Sequence, residues 1–117
     1  MESKELKNII PIESIWEDLA LLEDRLVEIS SSTDPYLTEI SQYLISAGGK
    51  RFRPLIALLA GKLGEGDNNK VIDAGVSVEL IHLGSLYHDD VIDDATTRRG
   101  VVSTNKQWSS TLAILAG

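Results

Sequence analysis

The sequence predicts an all-α fold, and three observations carry that prediction. Apolar residues recur at three- and four-residue spacing along most of the chain, the signature of amphipathic helices rather than strands. Leu, Ile and Ala dominate the apolar set while aromatics make up only 5% of the sequence, a composition that leans helical. No pair of alternating apolar runs is joined by a hairpin turn, so no strand pair is expected. At 117 residues the chain fits one domain and can bury a core.

The bulk numbers exclude several function classes. A net charge of −7 argues against general nucleic-acid binding. Cysteine is absent, which rules out both a disulfide framework and a thiolate metal site. No apolar run approaches the roughly 18 residues of a membrane span, and no apolar signal segment follows the polar N-terminus. A cytoplasmic protein is the expectation.

Residues 1–11 are polar and end at Pro11, which is read as opening the first helix. That helix runs from Ile12 to Ile29, with Ile12, Ile15, Trp16, Leu19, Leu22, Leu26 and Ile29 on its apolar face. Ser30 to Thr33 form a linker. Asp34-Pro35 then supplies an N-cap and a proline at the first helical position. Tyr36, Leu37, Ile40, Tyr43, Leu44 and Ala47 should face the core, and Gly48-Gly49 should end the helix. Pro54 is expected to start a third helix running to about Leu63. Gly64 to Asn68 make a turn, with Asp67 or Asn68 capping the longest helix, Asn69 to Asp94. Its core candidates include Ile72, Val76, Leu80, Leu83 and Leu86. Ala95 to Thr104 read as an irregular connection. A last helix starts near Thr104 or Asn105 and is still apolar at Ala113 to Gly117, so it looks cut.

The chemistry concentrates in His88-Asp89-Asp90-Val91-Ile92-Asp93-Asp94. Like charges three and four apart on a helix repel by roughly 0.2–0.5 kcal/mol per pair, and negative charge is disfavoured at a helix C-terminus. Two penalties at one place call for a compensating cation. Asp89 and Asp93 lie one turn apart, roughly 6 Å along the axis, a span that Mg²⁺ can bridge. Mg²⁺ takes one or two protein carboxylates and completes its octahedron with water and substrate phosphates. The plain alternative is a solvated acidic helix end.

Two basic clusters accompany the carboxylates. Lys50, Arg51 and Arg53 sit between a Gly-Gly turn and a proline-led helix, where close backbone approach, a helix N-terminus and arginine forks all suit phosphate; the plain alternative is a solvated basic turn. Arg98-Arg99-Gly100 follows the acidic run; these arginines either form surface ion pairs or take phosphate oxygens. His82, Asp89 and Asp93 fall within an arc of roughly 40° at about 100° per residue. His88 points elsewhere and is left to pack or pair.

Four stretches together resemble one family. Gly48-Gly49-Lys50-Arg51-Phe52-Arg53-Pro54, Glu79-Leu80-Ile81-His82, Asp89-Asp90-Val91-Ile92-Asp93-Asp94 and Arg98-Arg99-Gly100 resemble, in order and spacing, the trans-polyprenyl diphosphate synthases. The resemblance covers about residues 35–117, with residues 1–34 matching only as a generic first helix. It implies an antiparallel helical bundle, the N-terminal portion of the isoprenoid synthase fold, over residues 1–117. It implies head-to-tail prenyl transfer, in which an allylic diphosphate ionises, isopentenyl diphosphate attacks the allylic cation and a proton is lost. It implies Asp89 and Asp93 as Mg²⁺ ligands for the allylic diphosphate, with Asp90 supporting catalysis, and Arg98 as a binder of the same diphosphate. Lys50, Arg53, His82 and Arg99 would hold isopentenyl diphosphate. Arg51 receives no role. The residues five and four before the first Asp, Gly84 and Ser85, are those that set product length in the family; both are small, which implies an open tunnel and a medium- or long-chain product. Small residues there also simply permit close helix packing.

The sequence departs from the family pattern in one major respect. Family members are more than twice as long and carry a second aspartate-rich motif, whereas no acidic residue follows Asp94. Half an active site, inactive alone, is therefore expected. Val102 and Ser109 stand where proline and glycine are common. Three readings stay open: the N-terminal part of a polyprenyl diphosphate synthase, forming a homodimer when complete; a non-catalytic binding or regulatory subunit that complements a larger one; and a metal phosphohydrolase using His88-Asp89, which lacks further histidines.

Overall fold

A computed structural model describes residues 3–117. The fold is all-α: α1 (Ser3–Ile9), α2 (Glu13–Ile29), α3 (Pro35–Ser46), α4 (Phe52–Gly61), α5 (Asn68–Ile92), α6 (Thr104–Gln107) and α7 (Ser110–Ala116), with one two-stranded ladder of β1 (Thr97–Arg98) and β2 (Val101–Val102) before α6. Its contacts divide into two compact units, Met1–Leu26 with Lys50–Glu79 and Val27–Gly49 with Leu80–Gly117. Both α2 and α5 run through the division. Among the described residues no helix is long and apolar enough to cross a membrane.

In the first unit the buried apolar residues are Leu6, Ile15, Leu22, Leu26, Leu55, Leu58, Ile72 and Val76. Here α1 corrects the sequence reading, which left this stretch unstructured; the first two residues of that stretch lie outside the described part. A seven-residue helix is marginal alone, and of its two apolar side chains Leu6 is buried whereas Ile9 is exposed. Pro11 does not open α2, which begins at Glu13; Ile12 and Ile29 are exposed. Gly75 marks where α5 meets α2, since a β-carbon there would lie 2.6 Å from Leu22 Cδ1.

The start of α4 also differs from expectation. It begins at Phe52, with Arg51 ahead of it in the left-handed region at φ 52°. Pro54 thus occupies the third helical position. The first-turn amides have no intrahelical acceptor, so a missing N–H costs nothing there. The helix ends at Gly61, two residues short of Leu63. At the following turn Asp67 Oδ1 accepts from the Asn69 amide at 2.9 Å, one of the two caps the sequence offered.

The second unit opens as the sequence predicts. Asp34 is the N-cap of α3, accepting from the Tyr36 amide at 2.9 Å, with Pro35 at the first position. Ile40 and Leu44 are buried as expected, together with Ile45, whereas Tyr36 and Leu37 are about half exposed. The helix ends at Ser46, ahead of Gly48 at φ 89°. From α5 the unit buries Leu83, Leu86 and Tyr87. The Tyr87 hydroxyl donates to Ile40 O at 2.6 Å, and burial raises its pKa above the usual phenol value.

Two local features of this unit escaped the periodicity argument. The connection after α5 is a tight hairpin, Thr97 opposite Val102 and Arg98 opposite Val101. Arg99 (φ 53°) and Gly100 (φ 77°) occupy its two turn positions, the paired positive φ of a two-residue hairpin turn. The final helix is broken in two. Ser109 caps α7 by accepting from the Leu112 amide at 3.1 Å, and Trp108 leaves helical geometry to meet Tyr43 edge-on at 4.9 Å. Here α3, α6 and α7 pack on one another.

Candidate functional site

The acidic run closes α5 with a Schellman-type stop. The Ala95 amide reaches Asp90 O at 2.9 Å, the Asp94 amide reaches Val91 O at 3.3 Å, and Asp94 takes the left-handed position at φ 49°. This bond pattern satisfies carbonyls that a helix end leaves orphaned. The helix therefore ends at Ile92, two residues before the boundary read from the sequence. Asp93 keeps a helical bond, its amide 2.8 Å from Asp89 O, so Asp89 and Asp93 remain one turn apart on one face.

The four carboxylates divide into two kinds. Asp90 is 1% exposed and is held by Arg98, with Nη2 at 2.6 Å from Oδ1 and Nε at 3.1 and 3.2 Å from the two oxygens. Asp94 is exposed and pairs with Lys106 Nζ at 2.7 Å. Asp89 and Asp93 are exposed, and their side chains form no hydrogen bond or ion pair with the described residues. Protein cations thus answer half of the acidic run and leave its other half to solvent.

Arg98 is the electrostatic centre of this end. The hydrogen bond from its guanidinium to Asp90 raises its pKa, partial burial opposes that, and the charges of Asp90, Asp89 and Asp93 add to the rise. One guanidinium thus feels all three carboxylates. Arg99 turns another way, its Nη1 donating to Leu44 O at 3.1 Å and Gly48 O at 2.5 Å. It neutralises carbonyls at the C-terminal end of α3, where a cation is favoured.

The remaining predicted site residues of this unit lie along α5. His82 is half-buried, two turns ahead of Asp89, and its carbonyl accepts the Ser85 hydroxyl at 2.6 Å. Ser85 is exposed. Gly84 faces the end of α7: a β-carbon on it would sit 2.9 Å from Gly117 O. His88 Nε2 lies 3.0 Å from Ile114 O, the pairing role left open for it.

In the first unit, Lys50 and Arg53 are exposed on either side of a buried residue. Arg51, which the sequence reading left without a role, is 5% exposed. Its guanidinium forks onto Glu23 (Nε to Oε1 2.5 Å, Nη2 to Oε2 3.3 Å) and reaches Glu79 Oε1 at 3.3 Å. Nothing in local sequence distinguishes it from its neighbours; Glu23 and Glu79, each 28 residues away, make the difference.

The arrangement suits a metal only in part. An exposed carboxylate pair one turn apart, not directly bonded to a protein cation among the described residues, offers the one or two ligands that Mg²⁺ takes from a protein. Among the described residues no three His, Cys, Asp or Glu side chains group to hold a metal ion. The chain presents an edge for a cation rather than a cage.

Comparison with known proteins bears on this geometry. A family model described as Polyprenyl synthetase matches residues 34–117. The chain is 42% identical over 101 residues to heptaprenyl diphosphate synthase component 2 of Bacillus subtilis, covering 86% of this chain and 29% of that protein. It is 48% identical over 85 residues to nonaprenyl diphosphate synthase of Mycobacterium tuberculosis, covering 72% and 25%. Among solved structures, a polyprenyl synthase from Caulobacter crescentus complexed with calcium and isoprenyl diphosphate superposes with a TM-score of 0.84 at 30% identity, over 98% of this chain and 34% of that one. Heptaprenyl diphosphate synthase from Staphylococcus aureus gives 0.82 at 36% identity, over 87% and 33%. The chain spans about a third or less of the length of these proteins.

Proposed function

The chain belongs to the polyprenyl synthetase family, and from that premise we propose that it supplies the allylic-diphosphate half of a Mg²⁺-dependent prenyltransferase site. The observation that carries the reading is the division of the acidic run. Asp90 and Asp94 are spent on Arg98 and Lys106, while Asp89 and Asp93 face solvent from one helical face.

Asp89 and Asp93 would hold Mg²⁺. When bound, the metal supplies positive charge against the diphosphate leaving group. Arg98, fixed by Asp90, keeps its direction and adds a second positive charge toward the same oxygens, without reorganising as charge develops. Asp90 therefore acts through Arg98 rather than as a ligand. Lys50, Arg53, His82 and Arg99 are proposed for the diphosphate of isopentenyl diphosphate. Arg99 brings the carbonyls of Leu44 and Gly48 as its own partners. We assign the whole of residues 1–117 to the N-terminal part of one polyprenyl synthetase domain. Diphosphate substrates are aqueous solutes, which suits a cytoplasmic location.

Gly84 and Ser85 support a medium- or long-chain product. Ser85 is exposed one turn before Asp89, so a bulky residue there would stand beside the reacting end of an allylic tail. The test is transfer of labelled isopentenyl diphosphate onto an allylic diphosphate by the whole protein that contains this chain. Mg²⁺-dependent incorporation that Asp89→Ala abolishes is expected; incorporation indifferent to Mg²⁺ and to Asp89 would reject the reading.

A second reading has one specific observation behind it. Two similar proteins, from Bacillus subtilis and Geobacillus stearothermophilus, are named as component 2 of a heptaprenyl diphosphate synthase. The chain would then work beside a complementing subunit rather than in a homodimer. Activity that appears only on mixing with a second component would favour it over a self-sufficient enzyme.

A further inference from the structure

The basic turn contains an inversion that substrate binding alone does not explain. Lys50 and Arg53 are exposed, yet Arg51, equally charged and between them, is withdrawn into the protein. Its backbone lies in the left-handed region at φ 52° as the residue that leads into α4, a conformation that a β-carbon disfavours. No side-chain cap bond accompanies it. Its guanidinium instead joins two carboxylates from different helices, Glu23 of α2 at 2.5 and 3.3 Å and Glu79 of α5 at 3.3 Å. Glu79 is itself 2% exposed, so its charge is costly there without a cation beside it.

We infer that Arg51 is a positioning residue: the clip Glu23–Arg51–Glu79 holds the chain in its left-handed turn and thereby fixes the directions of Lys50 and Arg53 toward a diphosphate. The planar fork is essential to the device, because a lysine has one point charge and cannot hold two oxygens of Glu23 while reaching Glu79. The clip sits where the glycine turn ends and the first hydrogen bond of α4 begins, Leu55 N–H to Arg51 O at 3.0 Å. The nature of the ligand rests on the function proposed above; the mechanical role of Arg51 does not.

The experiment compares amide exchange in this chain with a double variant, Arg51→Asn with Glu79→Gln. Asparagine tolerates the left-handed backbone, and glutamine avoids a stranded buried carboxylate, so the clip is removed with least damage. The Leu55 amide should exchange at least tenfold faster, while that of Val76, buried in α5 of the same unit, changes less than threefold. Affinity for magnesium pyrophosphate should fall about tenfold in parallel. Equal acceleration at Leu55 and Val76, or none at Leu55, would overturn the inference. Should the double variant fail to fold, Glu23→Gln removes one half-exposed partner, and a Leu55 rate unchanged by it would equally overturn it. A native chain that binds no pyrophosphate would count against the phosphate role of Lys50 and Arg53, leaving the exchange rates to decide the clip.

Discussion

Arg98 grips Asp90 through both Nε and Nη2, at 2.6–3.2 Å, and Asp90 is buried, whereas its neighbour Asp89 is exposed. Adjacent residues of one motif thus have opposite work. Removing the charge of Asp90 with Asn should strand the Arg98 guanidinium and cost about 2–3 kcal/mol, less than the roughly 3–5 kcal/mol for breaking a fully buried pair because Arg98 is partly exposed. Asp89→Asn should change stability by less than about 0.5 kcal/mol. Urea unfolding of both variants checks the contrast, and equal losses would contradict it.

Tyr87 ties alkaline stability to one phenol. Its folded pKa is raised by burial, so above pH of about 10 the unfolded chain releases this proton first. Stability should therefore be level below that pH and fall as pH rises through the folded pKa. Tyr87→Phe loses the bond to Ile40 O, costing about 1–2 kcal/mol near neutrality. It should also fall less steeply above pH 10 than the native chain, which parallel denaturant titrations would reveal.

Asp94 is the one member of the acidic run whose backbone works against it. At φ 49° it occupies the position that helix ends reserve for glycine, and its ion pair with Lys106 is exposed and worth little. Asp94→Gly should raise stability by about 0.5–1 kcal/mol without altering Mg²⁺-dependent binding. Loss of Mg²⁺-dependent binding would show that Asp94 belongs with Asp89 and Asp93, and a loss of stability would contradict the strain assigned to its backbone.

Ser85 tests the product-length reading. In the whole protein, Ser85→Tyr should shorten the product by blocking the face one turn before Asp89, with the total rate of condensation less affected than the length. Chromatography of the released prenyl alcohols gives the answer. An unaltered length distribution would leave Gly84 and Ser85 as packing residues, consistent with the close approach of Gly84 to Gly117.

What the sequence reveals here is what local chemistry decides. Asp34-Pro35 caps α3 as read, and Ile15, Leu22 and Leu26 are buried on the face their spacing assigns them. The shared face of His82, Asp89 and Asp93 follows from helix geometry alone. The misses have tertiary causes. Leu6 makes a helix of a polar segment by being buried, Arg51 is distinguished from Lys50 only by distant Glu23 and Glu79, and Trp108 leaves the helix to meet Tyr43. Asp94 is different again: a left-handed stop at a non-glycine residue carries almost no signal in a run of four carboxylates. The same blindness hid the split within that run, since Asp89 and Asp90 look alike until Arg98 chooses between them.

The most direct measurement is calorimetric titration of an allylic diphosphate into this chain with and without Mg²⁺, using Asp89→Asn and Asp93→Asn beside Asp94→Asn. The account predicts Mg²⁺-dependent heat for the native chain and for Asp94→Asn, and its loss in the other two. Binding that survives at Asp89→Asn and Asp93→Asn, or that disappears equally at Asp94→Asn, would contradict the assignment of the solvent-facing pair.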